Sequence, residues 1–254
     1  MPIGMFPLLA PTQKIVTIYT GQEGAAHGAC FRIKAENSRH MLSRWKKFYD
    51  FDAKGVIHVG ANIGQEFKDY SLHPLDIALY IEPNPELIET LAANISSADN
   101  HVPVEALCSD QDDIEVTFNI ANNKGLSSSI LPLGNHQKLY PHIRYSKSLR
   151  MNTITLNTLI KRLGHSYERF QYLAIDAQGC DLNVLKGATM LFPHLRIIYC
   201  EVAERPLYEG GGSLAEITAF LDSFGFTMRY LLVGKNNCGN AAFLKVEKGS
   251  SFIP

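Results

Sequence analysis

The sequence predicts an α/β protein, a mostly parallel sheet with helices on both faces. Three observations predict it. From Gly55 onward, short apolar runs alternate with amphipathic stretches of helical spacing. The first apolar run ends in a glycine turn. The chain has 254 residues, 46% of them hydrophobic and 19% charged, which is enough for one large domain with a sizeable core.

The elements follow in order. Residues 56–60 (V-I-H-V-G) read as the first strand. A helix is expected over 63–72, where Ile63, Phe67 and Tyr70 share a face, and a second strand over 77–81. Leu87, Ile88, Leu91 and Ala92 line one side of a helix over 85–95. A third strand spans 102–107, and its Pro103 implies an edge or early position. Residues 114–120 alternate as a strand. Residues 122–145 are rich in Asn, Ser, Gly, His and Pro and read as a long functional loop, a lid or an acceptor site. Beyond it come a strand over 172–176, a helix over 182–191, a strand over 197–202 and a helix over 214–224 stopped by Gly225. Residues 226–233 and 241–246 are expected to close the domain as an antiparallel pair around a turn from Asn236 to Asn240. Residues 1–50 read as an N-terminal extension packed on the core, with an extra strand pair and a helix over 39–49; the main domain spans 51–254.

Composition removes several function classes. Lys plus Arg is 24 and Asp plus Glu 25, a net charge of -1, without the basic excess expected of a protein that neutralises phosphates; no nucleic-acid partner is expected. No apolar run reaches the roughly 18 residues that span a bilayer. The N-terminus lacks a basic region and is broken by prolines, so a cytoplasmic location is expected. Cys30, Cys108, Cys180, Cys200 and Cys238 are odd in number and form no C-x-x-C pair, which implies reduced thiols. A homo-oligomer is compatible with this composition.

The most informative stretch is V-I-H-V-G-A-N-I-G at 56–64. A strand followed by Gly60 and Gly64 at a helix start suggests backbone amides pointing at a ligand. Glu82, twenty-two positions after Gly60, ends the next strand, where a carboxylate is placed to accept hydrogen bonds from both hydroxyls of a ribose. A dinucleotide fold would have a second glycine where Asn62 stands. Asn62 and Gln65 suit an amino-acid moiety better than a diphosphate. That favours S-adenosylmethionine over a nicotinamide dinucleotide; an NAD-dependent oxidoreductase remains the alternative.

Over residues 55–233 the chain resembles the FkbM-type family of S-adenosylmethionine-dependent methyltransferases. The likeness rests on G-A-N-I-G at 60–64, E-P-N-P at 82–85, S-S-S-I at 127–130, D-A-Q-G-C-D at 176–181 with V-L-K-G-A at 184–188, and Glu201-Val202. The resemblance implies a class I methyltransferase, Rossmann-like fold: seven strands, the last antiparallel, acting mainly on hydroxyl oxygens of sugars, glycans or secondary metabolites. It implies that the loop from Gly60 to Gly64, with Ala61 and Asn62, holds the methionine part, that Glu82 lies at the ribose with Pro83 also in the cofactor site, and that Cys108, Ser109 and Asp110 lie at the adenine. The likeness also brings Ser128 and Ser129 toward the site. Position 58 is often acidic in the family and is His58 here; position 178 is often Glu and is Gln178 here. His58 is either a cofactor contact or a core histidine. The two departures also leave open an inactive, methyltransferase-like binding domain.

Methyl transfer is an in-line displacement, so the protein must align the acceptor hydroxyl and take its proton. Asp176, at a strand end, is suited to act as a base, an orienter of the hydroxyl or a metal ligand. Asp181 reads as a helix N-cap or dipole partner. Glu201 ends the next strand and is expected to face the same cleft. This carboxylate pair could hold Mg²⁺ or grip acceptor hydroxyls directly; the metal-free arrangement is the expectation. His136 is a second candidate base. Tyr140, His142 and Tyr145 are expected in the acceptor wall, and residues 208–212 as a mobile segment closing over the substrate.

Overall fold

A computed structural model describes residues 15–17, 41–234 and 236–245; Cys30, Val246 and the start of the helix expected over 39–49 lie outside them. In chain order the elements are β1 (Ile15–Thr17), α1 (Met41–Tyr49), β2 (Gly55–Val59), α2 (Phe67–Tyr70), β3 (Ile77–Glu82), α3 (Pro85–Ile95), β4 (His101–Glu105), β5 (Leu107–Cys108) and β6 (Glu115–Ala121). They continue with α4 (Asn135–Leu139), β7 (Tyr145–Ile154), α5 (Leu156–Arg162), a 3₁₀ turn (Tyr167–Arg169), β8 (Tyr172–Ile175), α6 (Asp181–Lys186), β9 (Ile197–Ala203), α7 (Leu214–Asp222), β10 (Phe226–Val233) and β11 (Cys238–Lys245).

β2, β3 and β8 are buried at every residue, as central strands covered on both faces must be. They lie in a sheet ordered β1-β10-β11-β9-β8-β2-β3-β4. The five strands from β9 to β4 run parallel, and β11 inserts antiparallel between β9 and β10. These seven strands, with the last in sequence antiparallel, are the expected sheet; β1 adds an eighth along β10. Pro103 does lie on an edge strand, where its missing N–H costs no ladder bond.

Alternation along each strand divides the core. Ile57, Leu79, Leu173, Ile175 and Ile198 face α5, α6 and α7, which contribute Leu156, Ile160, Leu185, Ile217 and Leu221. Val56, Ala78, Tyr80, Tyr172 and Ala174 face α1, α2 and α3, which contribute Leu42, Trp45, Tyr70, Leu91 and Ile95. Helix starts are locally encoded. Asn84 caps α3 through Glu86 N at 3.1 Å with Pro85 next, and Ser213 and Glu216 form a capping box on α7.

Several expectations are corrected. The helix read over 63–72 is only the single turn α2, because Asn62 (φ +48°) and Gly64 (φ +77°) interrupt right-handed helix. The helix read over 182–191 ends at Lys186, and Gly187 meets the segment after β5, where a Cβ would lie 2.1 Å from Ser109 O. The strand read over 102–107 is split between β4 and β5. The stretch 122–145 is not one irregular loop: it carries α4 and an isolated bridge between Asn119 and Ser129, and Tyr145 begins β7. β5, β7 and β6 form a second, three-stranded sheet that the sequence reading did not include. Cys108, Cys180 and Cys200 are free thiols. Among the described residues no helix is long and apolar enough to cross a membrane.

Candidate active site

At the carboxyl ends of β2, β3 and β8 a cleft of about 170 Å³ opens beneath residues 125–130 of the second-sheet insert. Its backbone wall is the turn after β2. Gly60 N and Ala61 N both donate to Ile81 O, at 2.9 and 3.0 Å; Gly64 N donates to Ala61 O at 2.8 Å, and Asn62 N to Glu82 Oε2 at 2.8 Å. These four amides are therefore occupied within the protein. Gly60 has its own reason to be glycine: φ is +79°, and a Cβ would sit 1.9 Å from Asp176 O. The side chains at the mouth are polar, Asn62 reaching Lys124 O and Gln65 reaching Asn62 Oδ1, each at 3.4 Å.

Glu82 is 6% exposed at the end of β3. Its Oε1 accepts Asn84 N at 2.9 Å and its Oε2 accepts Asn62 N, yet burial outweighs both bonds and pushes the carboxyl up to about 7. Each carboxylate oxygen keeps a further lone pair for a ligand. Pro83 lines the cleft beside it.

One end of the cleft is apolar, built from Ala106, Leu107, Cys108, Phe118 and Ile130. Burial raises the Cys108 and Cys180 thiols to about 12, so both stay protonated and behave as small apolar groups. Ser128 and Ser129 complete this wall while serving the backbone. Ser128 Oγ accepts Ala121 N at 3.1 Å, and Ser129 Oγ donates to Gln178 O at 2.9 Å. Phe118 and Ile130 were not among the sequence-derived candidates. The alternation of 114–120 marked Phe118 as facing one side of a strand, but only the second sheet brings that side to β5.

The other end is acidic. His58, Glu66 and Asp176 line it, and no Lys or Arg lines the cleft among the described residues. His58 Nδ1 lies 3.1 Å from Tyr70 Oη and 3.9 Å from Glu66 Oε2, so His58 is a buried, partnered histidine that also reaches the cleft. Asp176 lies open to the cleft. Desolvation holds its carboxyl above the usual carboxylate range, and the Gln178 hydrogen bond and His58 offset only part of that rise. Glu201 is corrected: it does not line this cleft. The Gln178 amide stands between it and Asp176, Nε2 donating to Asp176 Oδ1 and, at 3.1 Å, to Glu201 Oε2. Glu201 is held well above the usual carboxylate range by burial, then by the charges of Asp176 and Asp181. It faces a small cavity of about 20 Å³ with Asp181 and Tyr208.

Other candidates are placed elsewhere. Ala61 is buried in the core at 1% exposure, and Ser109 Oγ bonds Asp110 Oδ1 at 3.1 Å; neither lines the cleft. Asp181 is the first residue of α6 rather than its N-cap, which is Cys180; it is buried, and its Oδ1 has no hydrogen-bond partner among the described residues. His136 is buried beside Ser127 Oγ (3.2 Å) and packed against Tyr140 and Tyr208, away from the cleft. Tyr140, His142 and Tyr145 do not line it either: Tyr145 Oη donates to Leu131 O at 2.6 Å, and Tyr140 Oη accepts from Asn236 at 2.8 Å. The segment read as mobile is docked here, with Glu209 N on Pro132 O (3.0 Å) and Gly212 N on Gly179 O (3.3 Å). Magnesium does not fit the carboxylate pair, because an N–H donor points at both acids where a cation would need lone pairs. Among the described residues no group of three or more His, Cys, Asp or Glu could hold a metal ion.

A family model described as "Methyltransferase FkbM domain" matches residues 58–228. A curated relative, the 2-O-methyltransferase NoeI of Sinorhizobium fredii, is 25% identical over 182 residues, covering 69% of this chain and 74% of its own. Among solved structures, an S-adenosylmethionine-dependent methyltransferase from Aquifex aeolicus aligns with a TM-score of 0.44 at 11% identity, over 81% of this chain and 89% of that one. Fibrillarin from Aeropyrum pernix aligns with a TM-score of 0.43 at 10% identity, over 82% and 73%.

Proposed function

This chain belongs to the FkbM methyltransferase family, and on that premise we propose that it transfers the methyl group of S-adenosylmethionine to a hydroxyl oxygen of a sugar, glycan or secondary metabolite. One observation carries the cofactor reading: buried Glu82 faces a cleft lined, among the described residues, by further acids and by no Lys or Arg. A sulfonium and an α-ammonium are cations and suit that lining. The pyrophosphate of a nicotinamide dinucleotide would meet acids, and the amides of Gly60, Ala61, Asn62 and Gly64 already bond within the protein.

In this reading Glu82 accepts both ribose hydroxyls, the apolar end takes the adenine between Leu107, Phe118 and Ile130, and Asn62 and Gln65 meet the amino-acid tail. When bound, the sulfonium supplies an activated methyl group. Asp176 accepts the proton of the acceptor hydroxyl as the O–C bond forms and the S–C bond breaks, leaving a methyl ether and the demethylated cofactor. The name of the curated relative, a 2-O-methyltransferase, supports oxygen as the accepting atom.

Titration calorimetry tests this. S-adenosylhomocysteine should bind one-to-one, NAD should give no heat at the same concentration, and Glu82→Ala should weaken binding at least about tenfold, near 1.4 kcal/mol. Absence of binding, or preference for NAD, would overturn the reading. With cofactor binding in hand, mass-spectrometric screening of hydroxylated glycans and natural products for the gain of one methyl identifies the acceptor.

A further inference from the structure

Asp176 and Glu201 sit at the ends of the neighbouring parallel strands β8 and β9, and one side-chain amide bridges them. Gln178 reaches the gap because it adopts φ +49° in a turn with Gly179 at φ +93°. Its Nε2 has two hydrogens and donates toward both carboxylates. A Gln amide is nearly symmetric in shape, so packing alone does not decide which end faces the acids. The other end decides it: Tyr208 Oη donates to Gln178 Oε1 at 2.7 Å. Tyr208 is 3% exposed, its ring stands where a Gly179 Cβ would come within 2.8 Å, and His136 packs on it at 5.3 Å. An amide turned the other way would present its oxygen to two carboxylates.

We propose that Tyr208 is a positioning residue for methyl transfer: its hydroxyl fixes the Gln178 amide with the NH₂ end between Asp176 and Glu201, keeping Asp176 available as the proton acceptor. This rests on the reading of Asp176 given above. The segment after β9 thereby acts on the reaction without touching substrate, which is a different task from closing over it. Other groups also face the acid pair: His58 on β2, Glu66 before α2, Glu82 on β3, Asp181 on α6, and Tyr199 and Asn240 on β9 and β11. None of these has a hydrogen bond to the Gln178 side chain among the described residues.

The test needs neither cofactor nor acceptor. In the full chain labelled with ¹³C at the Asp and Glu carboxyl carbons, NMR titration follows both acids, with Asp176→Asn and Glu201→Gln assigning the signals. Tyr208→Phe keeps the ring and removes the hydroxyl; it should raise the Asp176 midpoint by about half a pH unit or more, a threefold change in the ionised fraction. Gln178→Ala should raise it at least as far, and the double variant no further than Gln178→Ala alone. An unchanged midpoint in Tyr208→Phe, or two shifts that simply add, would overturn the proposal. S-adenosylhomocysteine calorimetry on Tyr208→Phe, whose ring does not line the cleft, should show affinity within about threefold of the parent. Its failure in the parent would instead count against the cofactor reading.

Discussion

Glu82 shows how one side chain serves two states. Its carboxyl is buried and pushed up to about 7 from 4.5, so the folded chain holds that proton more tightly than the unfolded chain does. The linkage sign follows: this group's contribution to stability is present below about 4.5 and is lost as pH rises through about 7, on the order of 3 kcal/mol at most. A ribose diol donating into the carboxylate would favour the ionised form instead. S-adenosylhomocysteine should therefore bind about tenfold more weakly at pH 6 than at pH 8 and release a proton near neutrality. Calorimetry in buffers of different ionisation enthalpy measures both, and Glu82→Gln should flatten the dependence. A profile equally steep in that variant would move the titration to another group. Glu82 was legible from its spacing to Gly60; its burial and its two backbone partners were not.

At the scale of the element, the turn after β2 is stabilised by a fit between neighbouring strands. Gly60 and Gly164 share a positive φ, +79° and +74°, but a Cβ at Gly60 would strike Asp176 O whereas among the described residues nothing lies within 4 Å of one at Gly164. Gly164→Ala should lower stability by about 1 kcal/mol, the cost of the left-handed backbone, and Gly60→Ala by about 3 kcal/mol or more. Urea unfolding of the two variants compares them, and equal losses would contradict the packing argument. Strands β2, β3, β8 and β9 and helices α3 and α7 were readable because each repeats its own period and carries its own cap or glycine stop. β7 was not, because Y-S-K-S-L-R-M-N-T-I has a largely exposed, polar surface and pairs with β6 across the insert. α2 shrank to one turn because backbone conformation at Asn62 and Gly64 overrode helical spacing.

At the scale of the whole molecule, α1 belongs to the core on the face opposite α5, α6 and α7. Trp45, the single tryptophan of the chain, is 1% exposed with Tyr49, Tyr199 and Tyr230 rings 5.4–6.2 Å away. We infer that α1 unfolds together with the sheet. Trp45 fluorescence and far-ultraviolet circular dichroism should then give coincident urea transitions. An earlier fluorescence transition would separate α1 from the cooperative unit. The second sheet has a comparable role on the other side, since it brings Phe118, Ser128, Ser129 and Ile130 over the ends of the main strands.

The sequence by itself determined the α/β class, most of the main strands, the turn–carboxylate pair of Gly60 and Glu82, and the family likeness, because each is written in short-range pattern or in the order of local blocks. Only the tertiary structure decided that the amides of Gly60, Ala61 and Asn62 are consumed by Ile81 and Glu82, that Ala61 points into the core, that His136 is buried away from the cleft, and that Gln178 separates Asp176 from Glu201 under the hold of Tyr208. The reason is physical. These outcomes depend on which polar group meets which across neighbouring strands and the inserted sheet, and no periodicity along the chain records a partner that lies tens of residues away.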